Sequence, residues 1–256
     1  MTEKEKAAAG YLYDANYDQE IIESRTVCMD MCYEYNQLRP SQVEEQKKII
    51  KKILGRTTDR FCIVAPFHCD LGYNVEIGDN FYANYNCIIL DGAKVIFGDN
   101  VFIAPNCCFT TAGHALDVEQ RNRGLEIAYP ITVGNNVWIG ANVSVLPGVT
   151  IGDNTIIGAG SVVTKDIPSG VIAVGNPCRP VREITEADRD KYPRYEDGVQ
   201  PLKEWCPHCQ AMQDVEVSET ENVEEMADGA VRRVMTKSFQ CAVCHSFIKS
   251  EDKEIS

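Results

Sequence analysis

The hydrophobic pattern between about residues 60 and 185 repeats every six positions, with an aliphatic or aromatic residue followed by a small or turn-tolerant one. The repeated positions are Ile77, Ala83, Ile89, Phe97, Ile103, Phe109, Val133, Ile139, Val145, Ile151, Ile157 and Val163. This period fits neither an α-helix nor a hairpin. It fits one flat side of a three-sided coil, where a short strand is followed by a turn and the repeated residue points inward. The pattern predicts a mainly β protein built on a parallel β-helix of hexapeptide repeats, a coil whose known examples wind left-handed.

Two interruptions break the repeat, and an interrupted solenoid often carries its function at the interruption. An eight-residue step after Ile89 indicates a two-residue bulge near Asp91. After Phe109 the pattern lapses over the polar stretch 113–129. We expect that stretch to form a loop displaced from the coil.

The first 58 residues are rich in Glu, Lys and Gln, and their apolar residues are spaced by three and four positions. This spacing predicts two amphipathic helices, one before and one after Pro40. Ser41 and Glu44 have the spacing of a capping box at the start of the second helix. Gly55 follows its last apolar pair, where helices commonly end.

The chain loses the repeat beyond residue 186 and carries two Cys-x-x-Cys pairs with 31 residues between them. Four cysteines in this arrangement are typical of a closed, structural tetrahedral site, for which zinc is favoured over iron or disulfides. The predicted ligands are Cys206, Cys209, Cys241 and Cys244. The predicted organisation is a helical segment (1–58), the coil (59–186), a linker (187–202) and a zinc-ribbon-like module (203–256).

Composition narrows the range of partners. The chain of 256 residues has 25 basic and 38 acidic residues, a formal net charge of −13, which argues against nucleic-acid binding. No apolar run reaches the roughly 18 residues that a membrane helix needs, and the charged first residues do not form a signal peptide. We therefore expect a cytoplasmic protein whose 12 cysteines are thiols or metal ligands.

Several motifs together resemble one family of acyltransferases. They are Asn80-Phe-Tyr-Ala-Asn-Tyr-Asn86, Gly113-His114, Ile131-Thr-Val-Gly-Asn-Asn-Val-Trp-Ile-Gly140, Pro147-Gly-Val-Thr-Ile-Gly-Asp-Asn154 and Gly175-Asn-Pro-Cys-Arg179. Residues 1–186 resemble the maltose/galactoside O-acetyltransferase family of hexapeptide-repeat proteins. The resemblance implies a homotrimer, acetyl-CoA as donor, a sugar hydroxyl as acceptor and an N-terminal segment that helps to cover the acceptor site.

The resemblance also assigns candidate residues for catalysis and acceptor binding. His114 matches the catalytic histidine of the family, and an imidazole suits the general base that a weakly nucleophilic hydroxyl requires. Candidate acceptor-binding residues are Asn84, Asp91, Glu126 and Asp70. Asp70 stands where a galactoside-type member carries a serine, which leaves the acceptor open.

Candidate donor residues come from the same matches. The acetyl-CoA-binding candidates are Ala141, Ala159, Thr164, Lys165, Arg179, Arg182 and Trp138. The backbone N–H of Ala141 suits an oxyanion hole, and the three cations suit the phosphates of CoA. Trp138 points outward if Ile139 points inward, so a subunit interface is an alternative role for it.

Three other functions remain alternatives. A relative could acetylate an antibiotic, an amino acid or an envelope glycan. A hexapeptide-repeat carbonic anhydrase needs three histidines around zinc, and Glu119 stands where a second loop histidine is expected. The coil could also serve as a non-enzymatic scaffold with the ribbon as an adaptor.

Overall fold

A computed structural model describes residues 1–192, 203–225 and 231–255. The chain forms two compact units, residues 1–188 and 189–256. Residues 193–202 of the expected linker lie outside the described residues.

The first unit begins with helices and continues as a series of very short strands. Its helices are α1 (Glu3–Ala8), α2 (Gln19–Gln37), α3 (Val43–Ile53) and α4 (Val118–Asn122). Its strands are β1 (Tyr13–Asp14), β2 (Phe61–Ile63), β3 (Phe67–Cys69), β4 (Val75–Glu76), β5 (Phe81–Ala83), β6 (Cys87–Leu90), β7 (Val95–Phe97), β8 (Phe102–Ile103), β9 (Cys108–Thr110), β10 (Ala112–His114), β11 (Leu125–Ala128), β12 (Ile131–Val133), β13 (Trp138–Ile139), β14 (Ser144–Val145), β15 (Thr150–Ile151), β16 (Ile156–Ile157), β17 (Val162–Val163), β18 (Val171–Val174) and β19 (Arg179–Glu183).

These strands form the three parallel faces of a β-helix, as the repeat predicts. Face 1 contains β4, β7, β12 and β15, and face 3 contains β3, β6, β9, β14 and β17. Face 2 contains β2, β5, β8, β13, β16 and β18, to which β19 adds an antiparallel edge. The chain runs from face 1 to face 2 to face 3 in each coil. The mainly β fold class is therefore confirmed.

The core of the coil consists of the repeated apolar residues, and all twelve predicted inward positions are buried. Because side chains alternate along a strand, the two-residue strands of the coil point one residue inward, and three-residue strands such as β7 and β12 bury their first and third residues. Phe97 occupies the centre of the early coils, with its ring centroid 5.2 Å from that of Phe81 and 5.0 Å from that of Phe109.

Asparagines with positive φ turn the chain at the corner between faces 1 and 2. Asn80, Asn100, Asn136 and Asn154 have φ between 54° and 57°, a left-handed conformation that Asn tolerates better than most residues. Each side-chain amide donates to the next, over distances of 2.9, 3.0 and 2.9 Å. This ladder satisfies the corner amides and fixes the register between coils.

The N-terminal helices cover the first coils. The buried residues of α3 and three of those of α2, Cys28, Cys32 and Tyr35, belong to the same hydrophobic cluster as the coil core. Ile21 of α2 belongs to a second cluster with Tyr13 and Ala128. The two predicted helices are thus confirmed, but α1 was not predicted. The predicted capping box at Ser41 is wrong, because α3 has Gln42 as its N-cap with no side-chain cap hydrogen bond. The capping box forms instead at α1, between Thr2 and Glu5.

The second unit is an antiparallel meander of β20 (Lys203–Cys206), β21 (Ala211–Glu225), β22 (Val231–Cys241) and β23 (Phe247–Ile255). Its two Cys-x-x-Cys pairs lie at the β20–β21 and β22–β23 turns. Gln210 and His245, which follow these pairs, both have positive φ and donate their N–H to Cys206 and Cys241 carbonyls at 2.8 Å. The two turns therefore have the same local geometry.

In the described part of the chain, no helix is both long enough and apolar enough to cross a bilayer.

Phe97→Ala should destabilise the coil strongly, because it removes a fully buried ring that packs against two others. We expect a loss of about 3–5 kcal/mol in the free energy of unfolding, measured by urea titration. Ile96→Ala, on the outward side of the same strand, is the matched control and should lose much less. Equal losses in the two variants would contradict the inward stacking.

Candidate active site

The polar stretch after Phe109 leaves the coil at the corner between faces 3 and 1, as the lapse in the repeat predicts. It forms β10, α4 and β11 before the chain returns to face 1 at β12. In a separate three-stranded sheet, β11 lies between β10 and the N-terminal strand β1. The displaced loop is thus held to the N-terminal segment by backbone hydrogen bonds.

The strand register places His114 and Glu126 opposite each other. The two residues are direct partners in the β10–β11 ladder, with His114 Nδ1 3.7 Å from Glu126 Oε1. The imidazole is 60% exposed, whereas the carboxylate is 14% exposed. Asn16 Nδ2 donates to Glu126 Oε1 at 3.2 Å and to the Gly124 carbonyl at 2.8 Å. Glu126 is therefore fixed in place and can orient the imidazole.

His114 and Glu126 line a cavity of about 290 Å³. Asp70 and Arg25 line the same cavity, and a neighbouring cavity of about 390 Å³ shares Arg25, Asp70 and Glu126. Arg25 Nη2 donates to the Ala15 carbonyl at 3.2 Å, while its buried Nε has no hydrogen-bond partner in the described structure. Arg25 and Asn16 could not be predicted from the sequence, because only the tertiary fold brings α2 and the β1 segment to the loop.

Burial raises the pKa of both aspartates that are predicted to bind the acceptor. Burial raises the pKa of Asp70, nearby Arg25 opposes the shift, and Glu126 adds to it. Asp91 lies in the predicted bulge but is fully buried, and its Oδ1 accepts from the N–H groups of Asp70 (3.1 Å) and Leu71 (2.9 Å). Its Oδ2 has no hydrogen-bond partner among the described residues, and burial raises the pKa of Asp91 to about 6. Asp91 thus holds the backbone that presents Asp70, whereas Asp70 lines the cavity.

The fourth acceptor candidate, Asn84, lies at a different corner. It follows β5, at the turn from face 2 to face 3, and its Oδ1 accepts from the N–H of Tyr85 at 2.8 Å. His114 lies after the face-3 strand β9. Within one chain the length of a strand, on the order of 10 Å, therefore separates the two corners.

The donor candidates divide between the same two corners. Ala141 and Ala159 stack at the corner between faces 2 and 3, where the Gly160 N–H donates to the Ala141 carbonyl at 2.8 Å. Thr164 and Lys165 are exposed at the corner between faces 3 and 1, which also carries His114. One chain therefore does not bring all of these candidates together.

The arginine candidates lie on the antiparallel edge strand β19. Arg179 Nη1 donates to the carbonyl of Cys178 at 2.7 Å. Arg182 forms two hydrogen bonds to the carboxylate of Asp188, at 2.7 and 2.6 Å. Both guanidinium groups are exposed, but Arg182 must share its donors with this carboxylate.

Trp138 points outward, as predicted, and is 53% exposed. It belongs to a column on the outer side of face 2 that the strand register aligns and whose members are all apolar, aromatic or cysteine. The column consists of Cys62, Tyr82, Phe102, Trp138, Ile156 and Ile172. The corresponding column on face 1 is more polar, with Glu76, Ile96, Thr132 and Thr150.

The four predicted metal ligands converge in the second unit. Cys206 Sγ lies 3.5 Å from Cys244 Sγ, and Cys209 Sγ lies 3.9 Å from Cys241 Sγ. All four sulfurs lie within 4.8 Å of one another. Zinc–sulfur bonds of about 2.3 Å in a tetrahedron put sulfurs about 3.8 Å apart, so the cluster fits a zinc ion. The N–H of Cys209 also points at Cys206 Sγ, 3.4 Å away.

Asp91→Asn should stabilise the protein at neutral pH and not in acid. Because the pKa of Asp91 is raised from 3.8 to about 6, the fold favours the protonated carboxyl, and the wild type loses stability as the pH rises through 6. We expect the variant to gain up to about 3 kcal/mol in free energy of unfolding at pH 8 and nearly nothing at pH 4. Urea titrations across this range measure the difference.

The matched control is Asp99→Asn, an exposed carboxylate whose Oδ1 accepts from the Asp79 N–H at 2.7 Å. This control variant should show no pH-dependent gain in the free energy of unfolding. A difference between Asp91→Asn and the wild type that stays constant with pH would contradict a buried, ionisable Asp91.

Two family profiles match the first unit. Residues 6–58 match the maltose acetyltransferase hexapeptide capping motif, and residues 130–165 match the bacterial transferase hexapeptide of six repeats. These ranges correspond to the N-terminal helical segment and to coils that follow the displaced loop.

Individual relatives match far more of the chain. The galactoside O-acetyltransferase of Escherichia coli strain K12 is 44% identical over 197 residues, which span 77% of this chain and 96% of that protein. A crystal structure of a maltose O-acetyltransferase from Clostridium difficile 630 has 45% identity and a TM-score of 0.70, and covers 73% of this chain and 99% of its own. A galactoside acetyltransferase in complex with coenzyme A has 43% identity and a TM-score of 0.69, with coverage of 77% and 97%. The chain therefore belongs to the maltose/galactoside O-acetyltransferase family of hexapeptide-repeat acyltransferases.

Proposed function

We propose that the protein transfers an acetyl group from acetyl-CoA to a hydroxyl group of a sugar of the maltose, glucose or galactoside type. The observation that carries this proposal is the His114–Glu126 pair at a cavity that Asp70 and Arg25 also line. The similar galactoside and maltose O-acetyltransferases support a sugar as the acceptor. The galactoside acetyltransferase in complex with coenzyme A supports acetyl-CoA as the donor.

His114 acts as the general base in this proposal. Its Nδ1 faces Glu126, so Nε2 is the nitrogen that removes the proton as the sugar oxygen attacks the thioester carbonyl. The tetrahedral intermediate then expels the CoA thiolate, which takes the proton back from the imidazolium. Such a base contributes about 10²–10⁴ in rate. The backbone N–H of Ala141 is our candidate donor to the oxyanion.

The polar groups around the cavity suit an acceptor with several hydroxyls. A carboxylate accepts hydrogen bonds from hydroxyl groups, and a guanidinium group donates them. Asp70, Glu126 and Arg25 provide both kinds in one cavity. We add Arg25 to the proposed acceptor-binding residues, and we assign to Asp91 the role of holding Asp70.

A homotrimer would unite the two groups of candidates that one chain keeps apart. If one copy presents its face 2–3 corner to the face 3–1 corner of the next, Asn84 and Ala141 of one chain approach His114 and Lys165 of another. The apolar column of Trp138 on face 2 supports such an assembly, because monomeric proteins rarely expose contiguous apolar surface of this kind. Lys165, Arg179 and Arg182 would then bind the phosphates of CoA.

We also propose that Cys206, Cys209, Cys241 and Cys244 hold a structural zinc ion. The sulfur spacing and the two matching turns support this assignment. Four thiolates would complete the tetrahedral shell, leaving no open position for catalysis.

Acetylation of a different hydroxyl or amine remains the second candidate. Asp70 supports this second candidate, because the chain has a carboxylate where a galactoside-type member carries a serine. CoA release measured across maltose, glucose, galactosides, aminoglycosides, chloramphenicol and serine tests the acceptor class. Turnover of sugars supports the proposal, and turnover confined to the other acceptors contradicts it.

His114→Ala should lower kcat by at least about 10²-fold, because it removes the base that activates the acceptor. The affinity for CoA should stay near that of the wild type, since His114 is assigned to the acceptor side. His68→Ala, an exposed histidine on the outer side of face 3, is the control and should retain activity. Wild-type turnover in His114→Ala would eliminate His114 as the base.

Cys206→Ser should abolish zinc binding in the second unit. Metal analysis of the full-length wild type should find about one zinc per chain that the variant lacks, because three thiolates cannot close the shell. Trp205→Ala, which leaves all four thiols in place, serves as the control. A wild type that binds no zinc while all four thiols react freely would refute the site.

A further inference from the structure

A second thiol cluster lies in the first unit, far in sequence from the predicted metal ligands. Cys28 and Cys32 are four residues apart on α2, so both side chains lie on the same side of the helix. Cys69 lies opposite them on β3. The three residues are 1%, 2% and 4% exposed.

The three sulfurs point toward one another. Cys69 Sγ lies 3.5 Å from Cys28 Sγ and 3.8 Å from Cys32 Sγ, and all three sulfurs lie within 4.8 Å of one another. Metal–sulfur bonds of about 2.3 Å place three trigonal ligands about 4 Å apart. The spacing in this cluster therefore resembles that of the four-cysteine site in the second unit, at 3.5 and 3.9 Å.

The number of ligands and the burial decide which ion fits. Within the described residues, no fourth His, Cys, Asp or Glu donor joins the three sulfurs. Zinc prefers four ligands, and its fourth position must otherwise be filled by water. The three thiolates are soft ligands that are almost completely shielded from water. They therefore favour Cu(I), a soft ion that accepts three ligands.

We propose that Cys28, Cys32 and Cys69 form a three-coordinate thiolate site for one Cu(I) ion. Binding replaces three S–H bonds with three Cu–S bonds and releases three protons to solvent, with no change in oxidation state. Bound metal would link α2 directly to β3. A groove of about 790 Å³, lined by Cys32 and Cys69, provides the route of entry.

The position of the site gives it a connection to the acceptor cavity. Cys69 immediately precedes Asp70, and α2 also carries Arg25. Both neighbours line the cavity of His114. Metal binding at the thiol cluster therefore fixes the two elements that bring Asp70 and Arg25 to the acceptor.

The test is an anaerobic titration of the metal-free, reduced full-length protein with Cu(I) buffered by a chromophoric chelator. The wild type should bind one equivalent more than the Cys28→Ala/Cys32→Ala variant, because the second unit takes up copper in both. Cys62→Ala, which removes an exposed thiol, should bind as much as the wild type. Equal uptake by the wild type and the double variant would overturn the proposal.

A second measurement needs no variant and so does not depend on the variant's folding. In the wild type, Cu(I) should protect Cys28, Cys32 and Cys69 from alkylation in mild denaturant, as read by peptide mass spectrometry. Cys87, a buried thiol of the coil outside the cluster, is the internal reference and should gain no protection. Protection by zinc but not by Cu(I), or equal labelling with and without Cu(I), would contradict a three-coordinate copper site.

Discussion

The inward stacking of one apolar residue every six positions is the constraint on which the rest of the structure depends. Each strand of the first unit is only two to five residues long and cannot bury a core by itself. Stacked coils bury Ile139 against the equivalent residues above and below, while asparagines such as Asn136 turn the chain in a conformation that most residues avoid. The regularity of the repeat thus fixes the position of every corner, and any insertion must leave the coil at a corner.

The candidate site is a consequence of such an insertion. The displaced loop cannot bury a core of its own, so it pairs β11 with the N-terminal strand β1. That pairing brings Asn16 to Glu126 and thereby fixes the carboxylate that faces His114. Tyr13, in the same strand, is 4% exposed beneath the loop, where burial raises its pKa. The N-terminal segment therefore contributes directly to the shape of the site.

The sequence predicted the features that depend on period and spacing, and it failed where tertiary contacts decide. The inward residues, the bulge, the loop and the four-thiol cluster all follow from local pattern. Arg25 could not be predicted, because no spacing connects α2 to the cavity that it lines. The burial of Asp91 was hidden for the same reason: a bulge can aim a carboxylate either outward or, as the structure has it, onto the backbone of Asp70. The thiols of Cys28, Cys32 and Cys69 converge only once the helix packs on the coil.

The division of the candidate residues between two corners follows from the same geometry. A three-sided coil places successive turns on different edges, so Asn84 and His114 cannot share one edge of a single chain. Rigid stacking prevents the coil from bending to close that separation. In the homotrimer that we propose, a second copy placed against the outward apolar column of face 2 would close it without deforming either chain. A coil that is too regular to build a complete site by itself thus favours a site shared between copies.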